Sequence, residues 1–330
     1  TINGRVTANR LQMTDTSKIN FATQSSTASI DHFELVLPGS AVTCQPASLT
    51  LRACQNASCS SYYTGSGSVT LSPTSLTNGS WVSGNPVTLP SSSNSTAGLA
   101  SLTLRQSSVA SVTVGVSTST PAAANPTLCQ VGAGTLSAAN CTLTFADSGF
   151  LLSVPDQTAN KPVTGSIQAV RKSDSSASCV PAFASVTRTV NFWSGYSNPT
   201  STVNTLTPAI KVNGSDIGKS SAAATALSLA FDSTGKAALT NVNYTDAGAM
   251  TLNASYSGST ANNDSGLTLS GSDTFVSAPA GICIAPATTC SAGDASCPAF
   301  KRAGETFNVS LKPVAWESDS DTDLCTGNAV

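Results

Sequence analysis

The chain has 330 residues, enough for two or three domains, with a formal net charge of -2 and only 10% charged residues. No basic field is present to hold nucleic acid or an anionic membrane surface. The longest apolar runs fall short of the roughly 20 residues needed to cross a bilayer, which excludes insertion by a helix. Ser, Thr, Ala and Gly dominate and helix-favouring Glu, Lys and Arg are scarce, while apolar residues reach 40%. That balance predicts an all-β protein whose exposed faces are hydroxylated, not a disordered linker.

Ten cysteines form an even set: Cys44, Cys54, Cys59, Cys129, Cys141, Cys179, Cys283, Cys290, Cys297 and Cys325. With one histidine, His32, and no Cys-x-x-Cys knuckle, disulfides in an oxidising compartment are the better reading than zinc. Short candidate loops are Cys54–Cys59, Cys129–Cys141 and Cys290–Cys297, although spacing does not fix connectivity. Thr1 begins no signal peptide, so the chain reads as a processed or excised piece of an exported protein.

In chain order, residues 1–27 form a lead with strand-like content around Ile2 to Val6. An internal repeat follows: Phe33–Pro38 and Phe150–Pro155 are each apolar at alternate positions and stop at proline, and Phe307–Pro313 repeats the pattern with one extra residue. Each reads as the first strand of a module. After the first copy, strands are expected at Leu49–Ala53, Val69–Leu71, Leu102–Leu104 and Val112–Val116. After the second, they are expected at Ile167–Arg171, Thr187–Trp193 and Ile210–Val212, and Ala222–Ala224 reads as a loop.

The most regular stretch is Ala226–Tyr256. Leu227, Leu229 and Phe231 alternate up to the turn Asp232-Ser233-Thr234-Gly235, Ala237 and Leu239 resume, and Tyr244–Gly248 makes a second corner before Met250, Leu252, Ala254 and Tyr256. Three strands, two corners and a corner tyrosine predict an immunoglobulin-like sandwich. The predicted organisation is two tandem sandwiches at 28–147 and 148–280, then a Cys-rich incomplete module at 281–330 in which only one strand is expected. Cys179 is the only cysteine of the second module, so it either bonds across a module boundary or stays free.

Several motifs resemble MshQ-like proteins, exported proteins encoded with the MSHA-type type IV pilus machinery of Gram-negative bacteria. They are Asp31–Leu35, the Cys44…Arg52-Ala53-Cys54…Cys59 spacing, Phe145–Phe150, Ala169–Arg171, Cys179–Phe183 and Phe192-Trp193…Tyr196…Pro199. Gly271–Val276, Phe300–Glu305 and Asp321–Cys325 extend the similarity to the C-terminal residues. The resemblance implies a surface-exposed, pilus-associated protein, an adhesin or minor tip component, and carries over no catalytic residues.

Candidate sites are few. Asp319, Asp321 and Asp323 place carboxylates at alternate positions beside Glu317, a spacing suited to calcium but also to a solvated acidic loop. His32 lies beside the first strand without a nucleophile motif and reads as structural or superficial. Of the tryptophans, Trp193 fits a core position, whereas Trp81 after the Asn78-Gly79 turn is a candidate for stacking on a glycan. Trp316 is another such candidate. No Gly-x-Ser-x-Gly elbow occurs, and the sparse acids offer no carboxylate pair for glycoside hydrolysis. The expectation is a non-catalytic, cofactor-free adhesive module on the cell surface, with other pilus or surface components or a glycan or host-surface receptor as partner. The alternative is a filament subunit that polymerises with itself by strand addition.

Overall fold

A computed structural model describes residues 29–91, 96–132, 135–198, 209–286, 306 and 308–330. The N-terminal lead and Cys290–Cys297 lie outside these residues. Among the described residues the secondary structure is strands and single 3-10 turns.

The first sandwich opposes a five-stranded sheet, ordered Leu128–Val131, His32–Leu37, Ala47–Cys54, Leu99–Gln106 and Gly79–Trp81, to two three-stranded sheets. One contains Val87–Leu89, Gly67–Ser72 and Gly115–Thr120; the other contains Ala41–Val42, Thr142–Ala146 and Ala110–Thr113. Phe33, Leu35, Leu37, Leu49, Leu51, Leu102, Leu104 and Phe145 form its core, each at the alternate positions that a pleated strand turns inward. The expected Val112–Val116 strand is two strands. The chain changes partner at Val114, from Thr142–Ala146 to Gly67–Ser72.

The second sandwich pairs Ser148–Ser153, Val163–Lys172, Cys179–Pro181 and Lys236–Val242 in one sheet. The other sheet runs Gln157–Thr158, Thr268–Ala278, Gly248–Ser257, Val186–Asn198 and Thr225–Phe231. The regular stretch thus supplies strands to both layers. Its first corner is built as the sequence suggests: the Asp232 carboxylate accepts from the amides of Thr234 and Lys236 and from the Thr234 hydroxyl. Gly235 takes φ +79° where a β-carbon would meet the Ala169 carbonyl. The 222–224 run contributes only to a single 3-10 turn, Ser221–Ala223.

The internal repeat has a structural cause. After Pro38 the chain leaves the five-stranded sheet, and Ala41–Val42 pairs parallel with the last strand of the first sandwich, Thr142–Ala146. After Pro155, Gln157–Thr158 pairs parallel with the last strand of the second, Thr268–Ala278. Proline has no N–H for the ladder, so it ends pairing in one sheet where the strand must cross to the other. The third copy departs from this pattern. Val309–Val314 runs through Pro313 as the second strand of a hairpin with Gly281–Pro286. Two strands therefore form where one was expected, the added one being Gly281–Pro286.

Candidate functional site

Side chains from different modules meet at two joints. Only Asp147 separates the last strand of the first sandwich from the first strand of the second. The Asp147 carbonyl accepts from the Lys172 amide at 2.6 Å, and its carboxylate accepts from the Thr43 hydroxyl at 2.5 Å. Lys172 Nζ reaches the Ser107 carbonyl at 2.6 Å. Val42, Cys44 and Val170 form a small apolar cluster with Leu151 and Cys179, and the Cys44–Cys179 disulfide closes it. Gly149 permits the approach, since a β-carbon there would meet Val42 Cγ1 at 2.8 Å.

The second joint ties the C-terminal hairpin to the second sandwich. The Trp316 amide donates to the Ala159 carbonyl and the Asn160 side chain donates to the Trp316 carbonyl, each at 2.9 Å. Lys161 lies 5.5 Å over the Trp316 ring and pairs with Asp319 at 2.5 Å. The hydrogen bonds from Lys161 and the Trp316 indole hold the Asp319 carboxyl below its ordinary range.

The acidic loop does not converge. Asp319 is engaged by Lys161 and Trp316, Asp321 accepts from the Asp323 amide, and Asp323 accepts from the Cys325 amide. The one set of ligand-type side chains that comes together among the described residues is His32, Glu34 and Cys54. It is a poor metal site because the Cys54 sulfur is bonded to Cys59 and offers no thiolate. His32 is buried, with Nδ1 2.8 Å from Asp31 and Nε2 3.4 Å from Glu34, a structural placement at the start of the first strand.

The tryptophans differ from their expected places. Trp81 is core, donating its indole N–H to the Pro73 carbonyl, so it presents no stacking face. Trp193 is half-buried while its neighbour Phe192 fills the core, the one-residue offset that reverses faces along a strand. Trp316 belongs to the joint already described.

The buried tyrosine at the expected corner, Tyr244, finds no partner for its hydroxyl among the described residues. Tyr256 instead carries the tie, donating to Asp264 at 2.7 Å. Asp264 also accepts from Arg188 Nε at 3.0 Å and from the Ser259 amide at 2.8 Å. Burial opposes ionisation of Asp264, yet these donors outweigh it and hold the carboxyl below its ordinary value. Burial pushes the Tyr256 phenol up, and the Asp264 carboxylate that accepts its hydrogen bond adds to the shift. Sequence reasoning missed this cluster because Arg188 and Asp264 are distant in the chain and neither sits in a motif.

Two open grooves on the first sandwich, one over Leu76, Gln106 and Val112 and one over Val116, Ser119 and Asn125, are lined by hydroxyl, amide and apolar groups with no charged side chain.

Comparison with known proteins divides the chain in three. Residues 126–272 match the family model described as domain of unknown function DUF6701, first Ig-like domain. Residues 278–330 match the DUF6701 second domain. Residues 30–122 match a separate domain of unknown function, DUF8613. The boundary near residue 126 precedes the structural joint at Asp147, because Leu128–Val131 and Thr142–Ala146 pair with strands of the first sandwich. The chain is thus an all-β, disulfide-bonded protein of immunoglobulin-like sandwiches. No curated protein matches it. Among solved structures, it is 15% identical to a tetra-tandem repeat in the extending region of a large adhesion protein, over 78% of this chain and 52% of that one, with a TM-score of 0.23. The chain therefore spans about half the length of that structure. An Escherichia coli alpha-2-macroglobulin activated by porcine elastase is 11% identical over 79% of this chain and 23% of that one, also at 0.23. Overlaps this low carry no argument about function.

Proposed function

We propose that this chain is a rigid, non-catalytic spacer in an exported bacterial surface protein, one that holds an adhesive or pilus-associated element away from the cell. The observation that carries this reading is the first joint: a one-residue connection crossed by the Cys44–Cys179 bond. Domains in one chain ordinarily move against each other unless their interface is large or fixed. Here a covalent bond and Asp147 suppress that motion. Four disulfides among the described residues suit an oxidising compartment. No described helix is long and apolar enough to cross a membrane. The MshQ-like motifs favour a pilus-linked surface protein, whose contacts would be other pilus or surface components or a glycan or host-surface receptor. Neither groove offers the acid and base that hydrolysis would need.

An antibody against this chain should label intact cells of the native host and co-sediment with sheared pili. Labelling that requires permeabilised cells would overturn the exported reading. Labelling of cells with no signal in the pilus fraction would overturn the pilus link and leave a surface spacer.

A further inference from the structure

The C-terminal hairpin has one covered face and one open face. Cys283 and Val314 lie on the covered side, where the Cys283–Cys325 bond ties the hairpin to the following 3-10 turn. On the other side, Ile282 and Ile284 stand opposite Pro313 and Leu311 in the antiparallel register, with Val309 next along. Ile282, Ile284, Leu311 and Val309 are 62%, 69%, 64% and 44% exposed. Single exposed aliphatic residues are ordinary, but four in register make a contiguous patch of the kind that marks an interaction site. A two-stranded hairpin with one open apolar face is also short of what an independent sheet needs.

We propose that this face receives residues 1–28 of a second copy of the chain, giving head-to-tail association. Ile2, Gly4, Val6 and Ala8 alternate with Asn3, Arg5 and Thr7, which offers a small-and-branched apolar side matched in type to the patch. The charges are complementary. Residues 1–28 carry Arg5, Arg10 and Lys18 against Asp15, net +2, whereas residues 309–330 carry Lys312 against Glu317, Asp319, Asp321 and Asp323, net -3.

Connectivity favours a second copy over the chain's own lead. The first strand begins at the pole of the first sandwich where Asp31 bonds to Cys54, and it ends toward the joint at Val42–Cys44. In the second sandwich, strand Thr268–Ala278 has Ser270 at that joint and Ala278 beside the hairpin joint. The lead and the hairpin thus depart from opposite ends of the two-sandwich array. A face that takes a segment departing from the far pole of its neighbour is a heterologous contact, which propagates instead of closing into a dimer. This inference goes beyond the spacer reading, because a spacer need not associate with itself.

The test is light scattering over a concentration series of the oxidised full chain, with two double variants. Ile284→Asp with Leu311→Asp disables the face at exposed positions, and Ile2→Asp with Val6→Asp disables the lead. Wild type should grow through whole multiples of the chain mass as concentration rises, and each variant alone should remain monomeric. An equimolar mixture of the two variants should form a dimer, twice the chain mass, and stop there, since only one sound lead meets one sound face. Formation of that dimer also shows that both variants are folded. A wild type that stays monomeric at every concentration overturns the proposal, whether its own lead or another partner covers the face. A lead variant that still dimerises overturns it in favour of face-to-face pairing. A mixture that stays monomeric while both variants keep the wild-type circular dichroism overturns it as well.

Discussion

Cys44 and Cys179 are 135 residues apart in sequence and 4.9 Å apart at Cα, and they belong to different sandwiches. The bond therefore joins two cores that the chain otherwise connects through Asp147. In the chain-entropy picture a closed loop of this length is stabilised by roughly 5 kcal/mol, against roughly 2 kcal/mol for a loop as short as Cys54–Cys59. Replacing Cys44 and Cys179 together by Ser should lower the calorimetric melting temperature and split a single endotherm into two. Replacing Cys54 and Cys59 should lower it less and leave one transition.

Gly149 reports on the same joint without touching the disulfide. Gly149→Val would press on Val42 and the Ser270 carbonyl. An overpacked contact of this kind costs about 1–3 kcal/mol. The expected result is lower stability to urea together with a broadened scattering envelope, as the sandwiches separate around an intact Cys44–Cys179 bond.

Phe183 anchors the second core, with its ring 5.0 Å from Phe231, 4.9 Å from Tyr256 and 5.5 Å from the Arg188 guanidinium. Phe183→Ala should destabilise by about 3–5 kcal/mol, read from denaturant midpoints. Phe183→Leu should recover a large part of that loss, because it restores volume without the ring contacts.

Acid should act through Asp264. Its folded-state carboxyl is held low by Tyr256, Ser259 and Arg188 against the opposing effect of burial. It therefore contributes stability that is present above the ordinary carboxylate value of 3.8 and lost as pH falls through the depressed folded value. Asp273 works in the opposite sense: burial raises it, so its contribution is present below 3.8 and lost as pH rises through the raised folded value. Melting curves from pH 7 down to pH 2 should show a steeper acid loss for wild type than for Asp264→Asn, with the two converging at the acid end.

Calcium would have to compete with Lys161 for Asp319 in order to gather it with Asp321 and Asp323, each of which accepts a backbone amide. Extracellular calcium modules bind in the range of about 0.1–1 mM. The melting temperature should be unchanged by millimolar calcium, and calorimetric titration should show no saturable heat; a saturable rise would place a cation on this loop.

Alternation in strands such as Ala47–Cys54 and Thr225–Phe231 made their faces legible in the sequence, because each buries one side only. The first-strand repeat was legible too, since proline marks the crossing between sheets. Other features were not. Trp193 and Phe192 are adjacent and apolar, so composition cannot say which one points inward. The Tyr256–Asp264–Arg188 cluster depends on strands brought together by the fold, and no local spacing announces it. The partner of Cys179 was reducible to a choice between crossing the module boundary and staying free, but only the close packing of Val42 against Gly149 brings Cys44 within reach. The open face of the hairpin was hidden because it exists only once Ile282 and Ile284 are paired with the strand that carries Leu311 and Val309.

The Cys44–Cys179 bond also sets how the molecule would carry load. Tension applied to the two ends of the chain passes from Cys44 to Cys179 through sulfur, so the span between them, 135 positions in sequence, adds nothing to the extended length. That span, fully drawn out, would measure about 450 Å. A tether containing this chain would therefore yield far less length under shear than its residue count implies, because the residues between the two cysteines cannot be drawn out while the bond is intact.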